Sequence, residues 1–84
     1  MEGSGKEVPR ETARRVLQAA AVEAHGRTEA YVTQARVMGR ADMVDLEGFK
    51  EIAEYLEWRG WIADADSDYD NFTLTKSGID EAMK

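Results

Sequence analysis

One stretch constrains the fold of this chain more than any other: residues 45–62, which read DLEGFKEIAEYLEWRGWI. Apolar side chains recur in it at steps of three and four, which places them on one stripe of an α-helix. The stripe consists of Leu46, Phe49, Ile52, Ala53 and Leu56. Asp45 is placed to cap the first free backbone N–H groups, and Val44 is placed to pack on Phe49. Gly60 is predicted to end the helix, because glycine readily adopts the left-handed conformation.

The opposite face of this helix is acidic and aromatic. It carries Glu47, Glu51, Glu54 and Trp58, with Lys50, Tyr55 and Glu57 at its edges, and the predicted interaction residues are Glu47, Glu51, Glu54, Tyr55 and Trp58. An indole left in water forgoes about 1.5 to 3 kcal/mol of burial, so we expect either the following hairpin or a partner to cover Trp58. Tryptophan and tyrosine are enriched at interface hot spots. The face is therefore predicted to bind a protein partner or a second copy of the chain.

Two helices are predicted before this one. The first begins at Pro9 and ends at Gly26, and its apolar stripe is Ala13, Val16, Leu17, Ala20 and Ala24. The second is predicted to be capped by Thr28 and to end at Gly39. Its inward side chains would be Tyr31, Ala35 and Met38, and its outward ones Glu29, Thr33 and Arg36. The sequence YVT at 31–33 would also suit a strand, because these residue types favour extended structure.

After Gly60 the apolar period changes from 3.6 residues to two. Residues 61–63 and 72–75 are predicted to be the strands of a β-hairpin, connected by residues 64–71. Thr75 then caps a short final helix. Its side chains predicted to face the core are Ile79, Ala82 and Met83.

This order of three helices and a hairpin, with the phrases YLEWRGWI and FTLTKSG, resembles the winged helix-turn-helix family. The resemblance covers roughly residues 9–84, after a flexible N-terminus at residues 1–8. It implies a small α+β winged-helix domain, with three helices, a two-stranded wing and a short C-terminal helix. In that family the third helix usually enters the major groove of DNA. A DNA-binding transcriptional regulator is therefore the alternative function, with residues 66–71 as the tip of the wing.

The charge pattern disfavours DNA binding through that surface. Seventeen acidic and eleven basic residues give a net charge of -6, and DNA contacts depend on cations that neutralise phosphates. The connection between the strands adds Asp64, Asp66, Asp68 and Asp70. Possible nucleic-acid contacts for the alternative function are Arg10, Arg14, Arg36, Arg40 and Lys50. An acidic surface would also fit a salty cytoplasm, where charges are screened within a few Å.

Several classes of chemistry find little support in the sequence. The chain has no cysteine, which fits a reducing cytoplasm, and we expect a cytoplasmic protein because neither a membrane span nor a signal peptide is evident. The aspartates at 64–68 resemble the start of a calcium loop, but Tyr69 stands where that loop needs glycine and Thr75 where it needs glutamate. His25 has no evident catalytic partner. We therefore predict no catalytic residues, metal, cofactor or small-molecule substrate.

Overall fold

The computed structural model describes residues 8–84 as one small α+β domain. Its helices are α1 (Arg10–Glu23), α2 (Gln34–Arg40), α3 (Leu46–Trp58) and α4 (Lys76–Ala82). Its strands are β1 (Val32–Thr33), β2 (Ile62–Ala63) and β3 (Asn71–Leu74). The predicted fold class is therefore confirmed at the level of α+β. The flexible terminus predicted at residues 1–8 lies, except for Val8, outside the described residues.

The core lies where α1, α3 and the sheet meet. The largest fully buried side chains are Val16, Leu17, Val37, Phe49, Leu56, Phe72 and Leu74. Phe49 of α3 packs against Phe72 of β3, with ring centroids 6.4 Å apart. The apolar stripe predicted for α1 is buried throughout, and so is the stripe of α3 from Phe49 to Leu56. Both helices therefore face the core as their periodicity predicts.

The sheet has three antiparallel strands in the order β1-β3-β2, where a two-stranded hairpin was predicted. On one side of β3, Ile62 pairs with Leu74. On its other side, Val32 pairs with Phe72. The extra strand forms because Val32 is buried against the core while its backbone completes the hydrogen bonding of β3. The residue types at 31–33 also allowed a strand, and Val32–Thr33 form one. Their pairing with β3, which is distant in the chain, has no local signal.

The second helix is shorter than predicted. It begins at Gln34, and Thr33 is its cap, with the Thr33 hydroxyl accepting a hydrogen bond from the Arg36 backbone N–H. The predicted cap at Thr28 is wrong, because residues 32–33 extend along β3. Consequently Tyr31 and Ala35 face solvent instead of the core, while Val37 is fully buried.

Three helices end in the same hydrogen-bonded turn, in which the second residue after the helix has a positive φ. At the end of α3 that residue is Gly60, with φ 78°, as predicted. At the end of α1 it is His25, with φ 55°, followed by Gly26. The end of α2 uses Asp42, with φ 60°, so the predicted stop at Gly39 is wrong and the helix runs through it. Helix ends here do not depend on glycine alone, because Asp and His tolerate the left-handed region better than most residues.

Predictions at the ends of α3 and α4 are partly corrected. Asp45 occupies the cap position of α3, but its side chain makes no capping hydrogen bond. Val44 is 96% exposed and does not pack on Phe49, and Leu46, predicted to face the core, is 44% exposed. Thr75 caps α4 as predicted, by accepting from the Gly78 N–H at 3.0 Å. Within α4 and its end, Ala82 is buried and Ile79 packs against the core, whereas Met83 is exposed.

Candidate functional site

The acidic and aromatic side chains predicted as an interaction face lie together on the outer side of α3. Glu47 and Glu54 are exposed, and Glu51 and Tyr55 are half-buried. Trp58 is 79% exposed at the end of the helix. Its ring lies against Tyr55, with centroids 6.3 Å apart. We call this surface, formed by Glu47, Glu51, Glu54, Tyr55 and Trp58, the acidic face.

The connection between β2 and β3 does not cover Trp58. It is held to other positions of α3 instead: the Tyr69 hydroxyl donates to Glu57 at 2.7 Å, and Lys50 lies 3.6 Å from Asp68. The Gln34 side chain adds a hydrogen bond to the Asp68 carbonyl at 3.0 Å. Of the two coverings considered for Trp58, packing by the hairpin is thereby excluded in this structure.

Tyr69 is the main anchor of that connection. Its backbone has a positive φ of 58°, which a bulky residue adopts only where its surroundings hold it there. Burial raises the pKa of the Tyr69 hydroxyl well above its ordinary value, and the hydrogen bond to Glu57 raises the pKa further. The negative charge of Glu54 acts in the same direction. Tyr69 therefore stays protonated as a hydrogen-bond donor throughout the neutral range.

Three of the four arginines named as possible nucleic-acid contacts, Arg14, Arg36 and Arg40, form ion pairs with acidic side chains. Glu23 at the end of α1 accepts a hydrogen bond from Arg40 at 2.8 Å and also lies 3.8 Å from Arg36. Arg14 donates to the main-chain oxygen of Lys84, and its guanidinium is 3.8 Å from Glu81. These pairs tie α1 to α2 and to α4. Their guanidinium groups are partly exposed to solvent but also form contacts within the chain.

Arg10 and Arg14 also line a cleft between the start of α1 and the end of α3, of about 350 Å³. Arg59 enters it from the other side, with its guanidinium carbon 4.6 Å from the centre of the Trp61 ring. Tyr55 meets Trp61 edge-on at 6.2 Å. Sequence reasoning missed this cleft, because it joins helices that are distant in the chain. The one local signal is the phrase WRGW, in which an arginine and a tryptophan flank the turn at Gly60.

Residues 8–84 form neither a candidate metal site nor a membrane-spanning helix. Their histidine, aspartate and glutamate side chains make no cluster of three or more that could hold a metal ion. In the same range, every helix is too short or too polar to cross a membrane. Comparisons of the chain with protein-family models, curated proteins and solved structures found no match.

Proposed function

We propose that this chain is a non-catalytic winged-helix module that binds a protein partner through the acidic face. One observation carries the proposal: Trp58 stands 79% exposed among glutamates, although the neighbouring hairpin could have covered it. A large aromatic side chain in that setting has the character of an interface anchor. The winged-helix assignment is supported by the order of α1, α2 and α3 followed by the antiparallel pair β2 and β3.

A basic partner fits the acidic face better than a second copy does. A symmetric dimer through this face would bring Glu47 and Glu54 of one copy against the same carboxylates of the other. Like charges brought together at an interface cost several kcal/mol. Lysine or arginine side chains would instead pair with the glutamates and stack on the rings of Trp58 and Tyr55, which attract cations.

DNA binding is the alternative function, and the winged-helix arrangement is what favours it. The exposed side of α3 opposes it, since Glu47 and Glu54 would meet phosphates. Lys50, the cation nearest that side, already lies 3.6 Å from Asp68. Arg36 and Arg40 share Glu23, so binding DNA through them would require breaking internal ion pairs. We therefore place this function second.

The proposed function is tested by affinity capture from the native cell extract, followed by binding kinetics with the purified partner. We expect the chain to retain a basic protein, and Trp58→Ala to lose it. Tyr31→Ala is the matched control, because Tyr31 is also an exposed aromatic residue but lies outside α3. Capture that is equal for wild type and Trp58→Ala would contradict the proposal.

Surface plasmon resonance then separates the roles of charge and ring. Replacing Glu47, Glu51 and Glu54 together by glutamine should slow association about tenfold at low salt, because electrostatic steering is lost. Trp58→Ala should chiefly speed dissociation, because it removes buried area. Duplex DNA is tested in the same way, as the ligand of the alternative function. Tight DNA binding that weakens steeply with salt, and that Arg36→Ala abolishes, would replace the proposed function with the alternative.

A further inference from the structure

The cleft lined by Arg10, Arg14 and Arg59, which we call the arginine cleft, differs in chemistry from the acidic face, although Tyr55 borders both. Its apolar wall includes Leu17 of α1, and its aromatic wall is made by Tyr55 and Trp61. Three arginines converge on it: Arg10 and Arg14 from α1, and Arg59 from the turn after α3. Arg10 and Arg14 are four residues apart on one helix, so their side chains project from the same side. The cleft thus combines flat apolar surfaces with several guanidinium donors.

The charge balance of the cleft is opposite to that of the whole chain. Two carboxylates, Glu11 and Glu81, stand against the three guanidinium groups. Glu81 is already neutralised by Arg14 at 3.8 Å and by Lys84 at 3.2 Å. Arg14 has five N–H donors, and its two contacts, from Nη2 to the Lys84 main-chain oxygen and from Nη1 to Glu81, engage only part of them. The cleft therefore holds an excess of positive charge in a protein of net charge -6.

The position of Arg59 indicates where a planar group would bind. Its guanidinium carbon lies over the Trp61 ring, 4.6 Å from the ring centre, and Arg59 is exposed, so the side of the group away from that ring is accessible to a ligand. Guanidinium planes stack on aromatic rings on either face, and their N–H edges bind phosphate or carboxylate oxygens. A ring stacked on Arg59 would place an attached anion toward Arg10 and Arg14 on the facing helix.

We propose that this cleft binds a small organic anion, in which a planar ring carries a phosphate or carboxylate group. The ring stacks on Arg59 above Trp61, and the anionic group is bound by Arg10 and Arg14. The volume of about 350 Å³ lies at the lower end of the range for small-ligand sites. This ligand is independent of the protein partner proposed for the acidic face.

The test is a nuclear magnetic resonance titration of the full chain, which follows the arginine Nε–H and tryptophan indole N–H signals. The probes are adenosine 5′-monophosphate, 1-naphthoate, inorganic phosphate and adenosine. We expect at least one ring-bearing anion to shift the Arg59 and Trp61 signals saturably, with a Kd below about 1 mM. Phosphate and adenosine should bind at least about tenfold more weakly, because each offers one half of the ligand. Tighter binding of adenosine 5′-monophosphate would identify the anionic group of the ligand as a phosphate. Tighter binding of 1-naphthoate would identify it as a carboxylate.

Variants locate the site. Arg59→Gln and Arg10→Gln should each weaken binding at least about fivefold, since each removes a charged donor at the exposed rim. Glu11→Gln should strengthen it about twofold, because a competing negative charge is lost. Arg27→Gln, which changes an exposed arginine outside the cleft, should leave the Kd unchanged. The proposal is overturned if neither ring-bearing anion saturates, if phosphate alone binds as tightly, or if Arg59→Gln binds like the wild type.

Discussion

At the scale of a residue, Gly78 shows how closely α4 approaches the turn after α3. A Cβ atom built on Gly78 would lie 2.0 Å from the main-chain oxygen of Trp61 and 2.8 Å from its carbonyl carbon. The same Trp61 oxygen accepts a hydrogen bond from the Thr75 N–H at 3.0 Å. The Thr75 hydroxyl also donates to the Gly60 carbonyl at 2.6 Å. The glycine in the phrase FTLTKSG is therefore required by close backbone packing.

We accordingly expect Gly78→Ala to lower the free energy of unfolding by about 2 to 3 kcal/mol, because backbone on both sides would have to move. Gly39→Ala is the matched control, since Gly39 is helical and a Cβ there meets open space. That control should raise stability by about 0.5 to 1 kcal/mol through helix propensity. Urea denaturation measures the free energy of unfolding of both variants. Similar effects at the two glycines would mean that α4 does not pack on Trp61 as described.

At the scale of an element, the connection between β2 and β3 is attached to α3 by the hydrogen bond from Tyr69 to Glu57. Burial, the hydrogen bond to Glu57 and the negative charges of Glu57 and Glu54 raise the pKa of Tyr69 above its ordinary value of 10.0. The unfolded chain therefore ionises this tyrosine at a lower pH than the folded chain does. Its stabilising contribution is complete below pH 10 and is lost as the pH rises above that value.

We expect wild-type stability to fall more steeply with pH above about 10 than the stability of Tyr69→Phe, which cannot ionise. The measurement is urea denaturation at a series of alkaline pH values. Tyr31→Phe is the control for general tyrosine ionisation, because Tyr31 is largely exposed. Parallel pH profiles for wild type and Tyr69→Phe would show that the Tyr69 hydroxyl does not donate to Glu57.

At the scale of the whole molecule, the net charge of -6 acts on both stability and association. Repulsion among carboxylates destabilises the compact state and also opposes contact between two copies. We expect the chain to sediment as a monomer at low salt and to gain several degrees in Tm between about 0.05 M and 1 M NaCl, as the Debye length shortens. The variant in which Glu47, Glu51 and Glu54 are replaced by glutamine should gain less in Tm over the same salt range, because it has less repulsion to screen. A dimer at low salt that Trp58→Ala dissociates would identify a second copy as the partner.

Local sequence patterns were sufficient to predict α1, most of α3, the antiparallel pair β2 and β3, and the cap of α4. Each depends on neighbours in the chain: the spacing of apolar residues, the glycine after α3, and the hydroxyl of Thr75. The composition of the acidic face was likewise readable, because a helix places Glu47, Glu51 and Glu54 on one side once its core stripe is known.

Only the tertiary structure decided the features that join distant segments. Val32 and Thr33 become a strand because β3 offers them backbone partners, which decides between the helix and the strand that the sequence allowed there. Trp58 stays exposed because Tyr69 and Asp68 hold the connection to other positions of α3. The arginine cleft exists because α1 packs beside the turn that carries Arg59 and Trp61. Such contacts depend on the positions of several elements at once, and no local sequence pattern encodes those positions.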